Sequence, residues 1–114
     1  MTQPVIWHNP RCSKSCETLA ILEVEGFTPA IVKYLESPPS VEEIRDALVL
    51  LGIAARNLIR SGESIYKELD LAGTDETALI TAMAAHPILI ERPVVFHNGK
   101  ASLGRPPRAV LSIL

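Results

Sequence analysis

The first 35 residues constrain the fold more tightly than any other stretch. "PVIWH" (Pro4 to His8) is apolar and rich in β-formers, and Asn9-Pro10 stops it, so it reads as a short buried strand. From Ser13 to about Glu25 no proline or glycine intervenes. Leu19, Ala20 and Leu22 supply an apolar stripe there, and Gly26 stands where the residue after a helix end belongs. "AIVKYL" (Ala30 to Leu35) reads as a second strand. Strand, helix, strand at this spacing is a βαβ unit, which makes its two strands a parallel pair.

Ser37-Pro38-Pro39 then breaks the chain, and Ser40 with Glu43 forms a capping box ahead of "VEEIRDALVLLG". Helical pattern returns in "AARNLIR", more weakly in "SIYKEL", and again after Thr74, where Asp75 and Glu76 suit a helix N-terminus. His86-Pro87 closes this region. In "PVVFHNGKASLG", Asn98-Gly99 between two apolar-rich runs is a strong hairpin signal. Pro106 and Pro107 fit the start of a last helix with Val110, Leu111 and Leu114 on its apolar face. The order is βαβ, a helical stretch, then ββα. That is an α/β mixed sheet of thioredoxin-like (glutaredoxin-like) arrangement, expected as one domain over 1–114 with a helical insertion at about 40–87.

Composition narrows the function classes. At 114 residues and 47% hydrophobic, the chain can bury a real core. A net charge of −2, with eleven scattered Lys and Arg, gives no footprint for nucleic acid. Met1 to Pro4 lacks the basic start of a secretory signal. The longest apolar run, Ala47 to Ala55, is far short of the roughly 18 residues a membrane span needs. A cytoplasmic protein with no membrane partner is expected. Its two cysteines should then be mostly reduced, which makes reactivity a better default than a structural staple.

Cys12 falls between a strand end and a helix start, where the helix dipole and free N–H groups favour thiolate over thiol. His8, Arg11 and Lys14 lie close in sequence and could add positive potential. The two readings are a low-pKa nucleophile and a small core residue. His8 is either a proton carrier or charge partner for Cys12, or simply a polar strand-end residue. Cys16, one turn further on, lies one turn before Leu19 and Ala20, on a face partly turned to the core. It reads as a buried bystander or as a candidate resolving thiol. In the second case a Cys12–Cys16 bond must distort the first helical turn, because Cβ atoms four residues apart are about 5–6 Å from each other. A metal site is not expected: His8, Cys12 and Cys16 lack a fourth ligand and the two-residue cysteine spacing of zinc sites. Among the arginines, Arg45, Arg56 and Arg108 read as solvated surface groups. Arg92 and Arg105 stand beside prolines at element ends, and Arg60 ends a helical turn. Guanidinium forks match tetrahedral oxyanions bidentately.

"HNPRCSKS", "LIR", "ERPVV" and "GRPP", in this order, resemble the glutaredoxin-coupled arsenate reductase (ArsC) family, and its short arsenate reductase-like branch in particular. The resemblance implies a thioredoxin-like fold with Pro93 as its cis-proline. It implies Cys12 as the catalytic cysteine, His8 beside it, and Arg60, Arg92 and Arg105 as oxyanion-binding arginines. It also implies arsenate or a similar oxyanion as substrate, glutathione as co-substrate, glutaredoxin as partner and no bound cofactor. A monomer or weak dimer is expected. The chain departs from the family at Arg11 and Lys14, where small residues are usual, and at Cys16, where arginine is usual. The alternative is a redox-sensing regulator similar to the Spx proteins, which bind RNA polymerase. Those carry a two-residue spacer between their cysteines, whereas three residues separate Cys12 from Cys16.

Overall fold

A computed structural model of the chain describes residues 3–114. By contact density these divide into two compact units, one formed by residues up to Ser37 together with Arg92–Leu114, the other by Pro38–Glu91.

The first unit holds a four-stranded sheet: β1 (Val5–Trp7), β2 (Ala30–Val32), β3 (Val94–His97) and β4 (Lys100–Leu103), in the order β2-β1-β3-β4. β1 and β2 are parallel, as the βαβ pattern requires, whereas β1–β3 and β3–β4 are antiparallel. Asn98 and Gly99 both take positive φ (53° and 72°) and make the two-residue hairpin turn between β3 and β4. Helix α1 (Ser13–Val24) packs against a C-terminal 3-10 helix (Pro107–Ile113). Leu22, Val110 and Ile113 meet Ile6 and Val95 of the sheet in one apolar cluster.

Three local expectations need correction. β2 ends at Val32, not Leu35, because β1 is only three residues long and offers no further partner after the His8 N–H reaches the Val32 carbonyl (2.8 Å). The chain turns there instead, and the Lys33 carbonyl accepts from the N–H groups of Glu36 and Ser37 (both 2.9 Å). The last helix is a 3-10 helix. The buried stripe of α1 is Ser15, Thr18 and Leu22, with Leu19 half-buried and Ala20 exposed. Two polar residues can occupy this stripe because each is satisfied: Ser15 by His8 and Asn9, Thr18 by the Lys14 carbonyl (2.8 Å).

The second unit is helical: α2 (Val41–Leu51), α3 (Ala55–Leu58), α4 (Ser64–Glu68) and α5 (Glu76–Ala85), with 3-10 turns at Leu71–Gly73 and Pro87–Leu89. The Ser40–Glu43 capping box opens α2 reciprocally, at 3.0 and 3.1 Å, and Gly52 ends it in the left-handed conformation. α3 stops after four residues because Ile59 bridges to Ile90 and the Arg60 N–H donates to the Leu89 carbonyl (2.7 Å). Arg56 is exposed, as its sequence position suggests, yet it is not idle. Its guanidinium donates to Tyr66 Oη (3.2 Å) and the Thr74 carbonyl (2.9 Å), tying α3 to the segments that follow. No described helix is long and apolar enough to cross a membrane.

Candidate active site

The register of the sheet gathers the site. Val32, Trp7, Val94 and Leu103 lie side by side across the four strands. Beyond that row, β2 and β1 lead upward, β3 arrives and β4 departs. Four loops therefore meet at one edge: Lys33-Tyr34, His8 to Cys12, Arg92-Pro93 and Gly104-Arg105. Residues more than 80 positions apart become neighbours for this reason alone. The Arg92–Pro93 and Arg105–Pro106 peptides are cis.

The loop from His8 to Cys12 is held by its own polar groups. The Cys12 N–H donates to the Asn9 carbonyl (3.0 Å), and the Arg11 N–H to Asn9 Oδ1 (2.9 Å). Ser15 Oγ lies 2.6 Å from His8 Nδ1 and accepts the Asn9 N–H (3.0 Å), pinning the loop to the first turn of α1. Cys12 is the N-cap of that helix and half-buried. Burial pushes its thiol up. The backbone N–H groups of Ser15 and Lys14 and the hydrogen bond and charge of the Arg92 guanidinium outweigh this, so the thiol lies below its ordinary value. Arg105 joins them: its Nε donates to the Arg92 carbonyl (2.8 Å), leaving Nη2 3.9 Å from Cys12 Sγ.

Cys12, Arg92 and Arg105 thus come together as the sequence reading has them. The side chains adjacent to Cys12 contribute otherwise than expected. Burial and the nearby Lys33 charge lower the His8 ring below its usual 6.5, so at neutral pH it is uncharged and adds no positive potential. It acts on the loop through Ser15. Arg11 and Lys14 are exposed, and the lowering of the thiol comes from Arg92 and main-chain amides. Arg60 lies in the helical unit, 3.6 Å from Glu63 and 3.7 Å from Glu91. Cys16 is exposed, not turned to the core, because it sits beside the Ser15–Thr18–Leu22 stripe. Its thiol donates to the Pro10 carbonyl (3.3 Å), and its N–H makes the regular helical bond to the Cys12 carbonyl (3.0 Å). Ser15, Asn9 and Tyr34 are absent from the sequence-based site. Ser15 was findable, being three residues past the cysteine on the N-terminal turn; nothing local marks Tyr34.

A cavity of about 190 Å³ opens beside the loop, with His8, Asn9, Arg11, Lys33 and Glu36 among its walls. Among the described residues, no cluster of three His, Cys, Asp or Glu side chains is placed to hold a metal ion.

The end of a thioredoxin-like sheet thus carries a lowered thiol at a helix start, with two arginines beside it. The chain belongs to the ArsC family, whose model matches residues 7–113. It is 52% identical to the Escherichia coli (strain K12) protein YfgD, itself uncharacterized, across all of this chain and 99% of that one. It is 45% identical to the arsenate reductase of Neisseria meningitidis serogroup A over the full length of both. The structure of an arsenate reductase from Vibrio cholerae superposes with a TM-score of 0.95 at 52% identity, covering 98% of each chain.

Proposed function

We propose that this protein is a cytoplasmic oxidoreductase that reduces arsenate to arsenite, with the Cys12 thiolate as nucleophile. The observation that carries the reading is the pairing of a lowered Cys12 thiol with Arg92 and Arg105 at one helix start. Relatives named arsenate reductases support the choice of oxyanion.

In this reading the guanidinium groups of Arg92 and Arg105 hold the arsenate oxygens and drain their charge. The Cys12 sulfur attacks arsenic, an S–As bond forms, and one oxygen leaves as water after taking up protons. Glutathione then attacks the adduct and glutaredoxin completes the electron transfer. The balance is two thiols oxidised to one disulfide while As(V) becomes As(III) and one oxygen departs as water. No bound cofactor is required. The cavity beside Arg11 suits the co-substrate: Arg11, Lys33 and Glu36 complement the two carboxylates and one ammonium of glutathione. Arg60 as a third oxyanion ligand rests on the family resemblance. His8 keeps the loop in shape through Ser15, and Cys16 is dispensable. The protein acts as a monomer or weak dimer.

The test is arsenate-dependent NADPH oxidation with glutathione, glutaredoxin and glutathione reductase. Wild type turns over and Cys12→Ser, nearly isosteric, does not. Turnover retained in the serine variant ends the assignment. No arsenate-dependent oxidation with any thiol donor ends the reading itself.

A further inference from the structure

Tyr34 lies in the turn after β2, on the same sheet edge as Cys12, Arg92 and Arg105, and its side chain is wholly buried. Its phenol oxygen is enclosed and has no hydrogen-bond partner among the described residues. A buried hydroxyl left unmade is costly, and phenylalanine would fill the same space without that cost. The hydroxyl therefore calls for a reason.

Its surroundings supply one. Burial, opposed by the Arg92 charge and reinforced by the Cys12 thiolate, pushes the phenol up to about 12; the Arg92 and Asn9 side chains lie close enough to pull it down, but neither completes a hydrogen bond of proper geometry. The group stays protonated, a donor without an acceptor. Arg92 offers only donors. The Asn9 oxygens face the Arg11 and Cys12 N–H groups, and neither accepts from the phenol. Arg105 brings further donors to within 3.9 Å of the sulfur. What this corner lacks is an oxygen rich in lone pairs, next to Cys12.

We propose that Tyr34 donates a hydrogen bond to the tetrahedral oxyanion bound at Cys12, alongside Arg92 and Arg105. The proposal rests on the oxyanion reading above and adds a substrate-contacting residue to it. A neutral donor suits this place. It contributes directionality without further positive charge, so it holds the anion without depressing the thiol beyond useful nucleophilicity.

Sulfate, a tetrahedral dianion that a thiolate does not reduce, is the probe. In Cys16→Ala protein, where Cys12 is the one thiol, sulfate should slow alkylation of Cys12 by iodoacetamide. Tyr34→Phe should raise the half-protecting sulfate concentration about tenfold, the loss of one hydrogen bond to a charged group. Its melting temperature should stay level or rise, because an unmade buried hydroxyl is gone; a merely structural tyrosine would move stability and leave protection alone. Unchanged protection in Tyr34→Phe overturns the proposal while leaving the oxyanion site intact. No protection in the Tyr34-containing protein contradicts the oxyanion site and the proposal with it. A second readout needs no change at Tyr34. In Tyr66→Phe protein Tyr34 is the sole tyrosine, and its phenol carbon resonance should shift on sulfate titration. A resonance that does not move also overturns the proposal.

Discussion

At the scale of single residues, the electrostatics of Cys12 depend on groups far away in sequence. The nearby charges fail for identifiable reasons: His8 is neutral through burial, and Arg11 and Lys14 point their charge into solvent, where screening is strong. Arg92, with the N–H groups of Lys14 and Ser15, does the stabilising. Arg92→Ala should therefore raise the Cys12 pKa and weaken arsenate binding, each charge-assisted contact being worth about 1.5–3 kcal/mol. Arg105→Ala should weaken binding and leave the pKa nearer wild type, since its contact with the sulfur is long. Arg92→Lys should restore only part, for a point charge lacks the planar pair of donors. Exposed Arg45→Ala should change neither quantity in steady-state kinetics and thiol titration, and equal effects at all three positions would refute the cluster. Cys16→Ala should keep most glutathione-dependent turnover, because the regular helical bond between the Cys16 N–H and the Cys12 carbonyl holds the two thiols a full turn apart. A dominant Cys12–Cys16 crosslink after mild peroxide, found by peptide mapping, would reverse that expectation.

At the scale of elements, the site depends on how closely β4 ends against α1. A Cβ added at Gly104 would collide with Thr18 Oγ1 and the Pro93 ring, and the Gly104 N–H donates to the Pro93 carbonyl (2.9 Å). Gly104→Ala should cost roughly 1–3 kcal/mol by overpacking, read as a lowered melting temperature. It should also impair arsenate binding, because Pro93 carries Arg92 and Gly104 carries Arg105. A Gly104→Ala protein with wild-type stability would show that the contact relaxes freely. Elements with strong local chemistry were legible in the sequence: the βαβ start, the Ser40–Glu43 box and the Asn98-Gly99 turn each follow from a few adjacent residues. The inward face of α1 was not. Apolar periodicity favours Leu19 and Ala20, whereas the buried positions are set by Ser15 bonding the His8 loop and Thr18 packing under Gly104. Tertiary hydrogen bonds overrode the stripe, and the misjudged burial of Cys16 followed from it.

At the scale of the whole molecule, every group shown around Cys12 belongs to the unit that residues 38–91 interrupt. Spacing alone could not bring Arg92 and Arg105 to Cys12. Sheet order does, since antiparallel β3 begins beside the end of β1 and β4 ends beside the start of β3. The motifs shared with the family imply Cys12, His8, Arg60, Arg92 and Arg105, of which Cys12, Arg92 and Arg105 meet at this sheet end. The motifs give no hint of Tyr34, whose burial depends on the chain turning early after β2. The central claim is that this convergence lowers the Cys12 pKa below that of an ordinary thiol. The direct measurement is the pH dependence of Cys12 alkylation in Cys16→Ala protein. Because the folded pKa is lowered, reactivity should persist as pH falls below the roughly 8.5 of a free thiol and be lost only at a more acidic midpoint. A midpoint at or above that of a free thiol would contradict the account.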